Sequence, residues 1–206
     1  MSERNGALAI VGRGTPLDRA VAVWWAETRG PIALATVDPV PDQEYALASI
    51  ANEAWALGRD QLLERIDAAH AASITSFASE VFDRFRLCEV VVVNAGQRSE
   101  APLAELSADE WLAVLRTNLT VPFLALQAFG RLMLREGRGV AAALIPPLDS
   151  GDAAMAAARA GLIEVVRRMD EAWSERGVRV LAIEAAEAET VIAAVTEALG
   201  RHSPGT

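Results

Sequence analysis

Val90-Val91-Val92-Val93-Asn94-Ala95-Gly96 is the stretch on which the reading of this chain turns. Four β-branched residues in succession cannot sort polar from apolar faces, so they predict a strand buried on both sides. Such a strand belongs in the middle of a parallel sheet covered by helices. It stops at Asn94-Ala95-Gly96, small and turn-forming residues that let a ligand approach the backbone.

Strands and helices alternate on either side of it. Ala7 to Val11 predicts a first strand ending at Gly12-Arg13-Gly14. Thr15-Pro16-Leu17-Asp18 then opens a helix to about Arg29, with Thr15 as N-cap, Pro16 at the first helical position and Asp18 closing a capping box. Ile32 to Thr36 follows as a strand, Asp38 to Asp42 as a turn, and Asp42 to Leu57 as a helix. A short strand near Leu62 to Ile66 precedes Asp67, and Ser73 to Phe85 leads into the Val90 strand. Ser107-Ala108-Asp109-Glu110 is a second capping box, heading a helix to about Arg135 that Pro122 interrupts. Val140 to Ile145, a helix from Asp152 to Glu175, Val178 to Ile183 and a helix from Glu189 to Leu199 complete the alternation. A polar tail over 200–206 ends the chain. The expectation is one α/β domain over 1–206: a doubly wound, Rossmann-like parallel sheet of six strands, order 3-2-1-4-5-6, truncated after strand six.

The bulk composition narrows the functional classes. The 206 residues are 52% hydrophobic and 23% charged, which suits a globular domain with a substantial core. A net charge of -9 repels phosphate-rich partners, so neither nucleic acid nor an anionic membrane is expected. One cysteine and two histidines give no disulfide and no cysteine- or histidine-based metal site. Without an apolar run resembling a signal peptide or a membrane span, a cytoplasmic protein is expected.

Several segments together resemble the short-chain dehydrogenase/reductase family over about residues 7 to 200. They are Asn94-Ala95-Gly96, Asp67 after strand three, Ser107 to Trp111, Arg116 to Phe123, and Glu175 to Val180. The resemblance implies NAD or NADP as cofactor. It assigns cofactor contacts to Gly12, Arg13, Gly14, Leu17, Asp38, Asp67, Asn94, Ala95 and Gly96. Asp38 would face the adenosine ribose, which favours NAD, and Asp67 the adenine. The family's active-site asparagine falls on Asn118. Its tyrosine, lysine and serine fall on Met155, Arg159 and, with a shifted loop, Ser150.

A thioether has no proton to give, and an arginine keeps its own near neutrality. In the family's glycine-rich turn, Pro16 and Asp18 replace two glycines, and the capping box sets a carboxylate against the site of phosphate binding. After strand six the chain reads Glu184-Ala185-Ala186-Glu187 instead of a Pro-Gly pair. The expectation from these residues is a protein without conventional redox catalysis: a partner subunit, scaffold or weak nucleotide binder. The alternative is an NAD(P)-dependent oxidoreductase with a non-standard site, using Asn118, Ser150 and Arg159 or an acidic group such as Glu184. Asp38, Asp67 and Asn118 also have plain structural readings, as turn, strand-end and helix-irregularity residues. The apolar helix 109–135 and the small-residue start of helix 152–175 predict a homodimer through those two helices. A protein partner is possible beside the second copy.

Overall fold

The computed structural model describes residues 6–96, 102–145, 153–184 and 187–200. Six strands make one parallel sheet in the order β3-β2-β1-β4-β5-β6. They are β1 (Ala7–Gly12), β2 (Ile32–Thr36), β3 (Gln61–Glu64), β4 (Cys88–Asn94), β5 (Gly139–Ile145) and β6 (Val178–Glu184). The Val90 run lies between β1 and β5, with Val92 beside Ile10 and Ala142. It is buried throughout, as a central strand with helices on both faces must be.

The connecting helices divide between the two faces. On one, α1 (Pro16–Thr28), α2 (Pro41–Ala56) and α7 (Ala188–Gly200) cover Leu8, Ile10, Leu34, Val90 and Val92. On the other, α3 (Ala71–Phe85), α5 (Val121–Glu136) and α6 (Ala153–Trp173) cover Ala9, Val11, Val91 and Val93 around an edge-to-face Phe77–Phe129 pair. Trp24 and Trp25 share a helix but not an environment. Trp25 is fully buried, while Trp24 packs at the margin of the same cluster.

Element limits move by one to three residues from the expectations. The strand expected to reach Ile66 ends at Glu64, because the Thr36 hydroxyl takes over the pairing: it donates to Ile66 O (2.6 Å) and accepts from Ile66 N–H (2.8 Å). The helix expected over Asp109 to Arg135 is α4 (Ala108–Leu115), a π-helical turn over Arg116–Thr120, and α5. Pro122 accounts for the break, since it has no N–H to continue the ladder. By length and composition Ala108–Glu136 is apolar enough to cross a membrane, but half of its most apolar window is buried inside the domain.

The outer edge of β6 is partly closed from within the chain. Asp170 on α6 accepts the Val180 N–H (2.8 Å) and pairs with Arg179 (2.9 Å), so a side chain stands in for a neighbouring strand. Asp170→Ala is expected to cost about 1.5–3 kcal/mol, the range for a hydrogen bond to a charged group. It should also increase self-association, read by urea unfolding and light scattering.

Candidate functional site

The carboxyl ends of β1, β2, β4 and β6 bring most of the expected site residues to one edge of the sheet. Gly12 closes β1, and Thr15 caps α1: its hydroxyl accepts the Asp18 N–H (3.2 Å), and Asp18 accepts the Thr15 N–H (2.8 Å). Across the crevice, the Asn94 side-chain amide at the end of β4 donates to Asp18 Oδ1 (2.8 Å) and Thr15 Oγ1 (3.1 Å). Gly12 leaves room for this arrangement, since a Cβ there would press on the Asp18 carboxyl group at 2.9 Å.

The capping box forms as expected, but its carboxylate is buried and hydrogen-bonded rather than exposed in the crevice. Asp18 is 1% exposed, faces inward, and is enclosed by Thr15, Asn94 and Gly12. Burial raises its pKa, against the lowering effect of hydrogen bonds from Asn94, Thr15 and Arg13. Leu17 N–H lies in the first turn of α1 outside the bonds of the capping box.

The folded chain therefore holds the Asp18 proton more tightly than the unfolded chain does. Its contribution to stability is full below the ordinary carboxylate range and is lost as pH rises through the folded value. Melting temperatures from about pH 4 to about pH 8 are expected to fall less steeply in Asp18→Gly than in the parent.

Arg13 spans the switch between β1, β2 and β4. Its Nε donates to Ala95 O (2.9 Å), and its Nη2 lies 2.9 Å from Asp38 Oδ2. That contact is an ion pair outside hydrogen-bond geometry, so the buried Nη2 has no hydrogen bond. Gln43 fixes the Asp38 turn: its Oε1 accepts both Val37 N–H (3.0 Å) and Asp38 N–H (2.9 Å), and its Nε2 donates to Asp38 Oδ2 (3.2 Å). Gly14, at φ +73, allows the turn to pass against Ala46 of α2.

Asp67, expected at the adenine, is held by Arg116 of the π turn at 3.0 and 3.1 Å. It also meets His70 Nδ1 (3.1 Å) and accepts the Ala69 N–H (3.0 Å). Asn118 lies buried in the π turn, where its amide donates to Val114 O (2.9 Å). That satisfies one carbonyl the irregular turn releases, as the structural reading of Asn118 expected.

Met155 is 3% exposed on the inner face of α6. One helical turn later, Arg159 reaches Glu184 at the end of β6, with Nη2 2.6 Å from Oε2. Ser150 lies outside the described residues. The small residues opening α6 are used within the chain: Ala154 and Ala158 are fully buried, and Gly161 sits against Leu119 of the π turn. Among the described residues no cluster of histidine, cysteine or acidic groups could hold a metal ion.

A cavity of about 350 Å³ lies elsewhere, along the outer edge of β6 against α7, and shares only Glu184 with the groups just described. The strand ends carry the chemistry-bearing side chains and are the better candidate site. The sequence reading had missed the bridge from Arg13 to Ala95, the Arg116 clamp on Asp67, and the pairing of Arg159 with Glu184. The last joins two residues already singled out, 25 positions apart, but no local pattern couples them.

The fold and this constellation of strand ends define a dinucleotide-fold protein of the short-chain type. Residues 26–202 match the family model described as Enoyl-(Acyl carrier protein) reductase. The chain is 33% identical over 185 residues to the D-threitol dehydrogenase of Mycolicibacterium smegmatis, covering 85% of this chain and 68% of that protein. It is 29% identical over 183 residues to a 3-oxoacyl-[acyl-carrier-protein] reductase of Synechocystis, covering 82% of this chain and 74% of that one. A metagenomic short-chain oxidoreductase solved in complex with NADP superposes with a TM-score of 0.81 at 26% identity, covering 99% of this chain and 93% of the other. The chain belongs to the short-chain dehydrogenase/reductase family.

These findings correct the expectation of a protein without redox catalysis. The relatives are dehydrogenases and reductases by name, so the oxidoreductase alternative fits better.

Proposed function

We propose that the protein is an NAD(P)-dependent oxidoreductase that interconverts a secondary alcohol and a carbonyl compound at a non-standard active site. The inward-facing Asp18 is the observation that carries this reading. It lessens the chief objection to a phosphate at the start of α1, where Leu17 N–H lies outside the capping-box bonds at the positive end of the helix dipole. Asp38, Ala95 and Gly96 would hold the adenosine ribose, and Asn118 and Arg159 the nicotinamide end. The nicotinamide supplies or accepts the hydride when bound. The chain departs from its family's Ser-Tyr-Lys set at Met155 and Arg159, so the proton must travel by another route.

NAD is the expected preference, since the Asp38 carboxylate suits ribose hydroxyls and repels a 2′-phosphate. Asp38→Asn removes that repulsion and frees Arg13. It is expected to move the NADH-to-NADPH affinity ratio about tenfold toward NADPH, worth about 1.4 kcal/mol. An unchanged ratio by calorimetry would remove Asp38 from the ribose site.

The proposed assembly is a homodimer through α4, α5 and α6. Leu112 on α4 and Ile163 on α6 support it, as large apolar side chains left exposed on these helices. Sedimentation should give a dimer at micromolar concentration and a monomer for the Leu112→Asp, Ile163→Asp double variant. A monomeric parent would contradict the proposal.

A further inference from the structure

We infer that Glu184 is the catalytic residue that accepts the substrate hydroxyl proton in alcohol oxidation, with Arg159 as its positioning residue. The inference rests on the oxidoreductase reading above and names the group that reading leaves open. Among the described residues at the positions singled out above, elimination and geometry both lead to Glu184. Met155 carries no exchangeable proton, the Asn118 amide is committed to Val114 O, and a guanidinium does not act as an acid near neutrality. Glu184 ends β6 directly beside Ile145, the last residue of β5. Its side chain is 54% exposed, while Arg159, which grips Oε2 at 2.6 Å, is only 15% exposed. The guanidinium thus anchors one carboxylate oxygen from the protein side and leaves Oε1 for a substrate.

The substrate hydroxyl proton passes to Glu184 Oε1, the carbinol C–H bond breaks, and the C–O bond becomes a carbonyl. With NAD bound, the hydride from that C–H bond would pass to the cofactor's oxidised nicotinamide, and the Glu184 proton would then pass to water. Other charged groups near Glu184 are Arg179 on its own strand and Glu197 on α7, which line the outer face of β6 rather than contact the carboxylate.

The test compares the parent with Glu184→Gln, Arg159→Lys and Arg159→Met. NAD and NADH binding is measured by calorimetry, and oxidation of threitol, galactitol and a 3-hydroxyacyl thioester is measured across pH. Glu184→Gln is expected to bind the dinucleotides within about threefold of the parent. It should lose about 10²–10⁴-fold in kcat, with the acidic limb of the pH profile gone. Arg159→Lys should keep most of the activity and Arg159→Met should not. A readout independent of turnover is the carboxyl-carbon NMR signal that disappears in Glu184→Gln; in the parent it should shift when threitol is added. Glu184→Gln that oxidises alcohols within threefold of a parent-like profile would overturn the assignment, as would a parent that binds NAD but oxidises none of the three alcohols. A parent that binds neither dinucleotide would instead overturn the oxidoreductase reading itself.

Discussion

Asp18→Gly is expected to tighten dinucleotide binding about tenfold or more while lowering the stability of the domain. The carboxylate is buried within the turn that would face the pyrophosphate, and its pKa is raised because burial disfavours its charge. Facing inward reduces its repulsion of a phosphate but does not abolish it. Two unit charges a few ångströms apart interact by about 4 kcal/mol at an effective dielectric near 20, so even a partly screened remainder exceeds the 1.4 kcal/mol of a tenfold change. Glycine also frees the Thr15 N–H, now bonded to Asp18 Oδ2, for a phosphate oxygen. The cost is a glycine in the first turn of the helix, about 1 kcal/mol, and an Asn94 amide that loses one acceptor. Thermal melting and calorimetry on the same preparation separate the two effects. Unchanged affinity would mean that the phosphate does not lie at this turn.

Gly177→Ala is the substitution with the largest expected effect on stability, a loss of more than about 3 kcal/mol. Gly177 has φ +79, in the left-handed region where a Cβ costs about 1–2 kcal/mol. That Cβ would also lie inside van der Waals contact with the Gly137 carbonyl oxygen. Gly137 itself ends α5 in the left-handed conformation, so two helix ends meet backbone to backbone just before β5 and β6. Neither can withdraw without pulling a strand from the sheet. A domain with about 5–15 kcal/mol of total stability would lose much of it. Urea midpoints measure the effect, and a shift worth less than about 1 kcal/mol would show that the junction yields.

The sheet was legible because its signals are local and redundant. The Val90 run, the capping residues Thr15 and Ser107, and the turn glycines each fix an element without knowledge of its neighbours. The irregularity near Pro122 was legible for the same reason: a missing N–H must leave a carbonyl to satisfy, and Asn118 does so. The site was less legible because its decisive contacts are long-range. Asp18 reads as a charge at a phosphate turn, and only the register of β1 beside β4 shows Asn94 turning it inward. Arg159 reads as a failed lysine until β6 brings Glu184 to it. Met155 and Asp18 each read as a loss when taken alone, whereas Asn94 and Glu184, which meet Asp18 and Arg159, lie on other elements.

Titration of the purified protein with NADH and NADPH, followed by tryptophan quenching and calorimetry, tests the central claim most directly. The oxidoreductase reading predicts saturable binding in the micromolar range, tighter for NADH. No binding of either dinucleotide at millimolar concentration would contradict it.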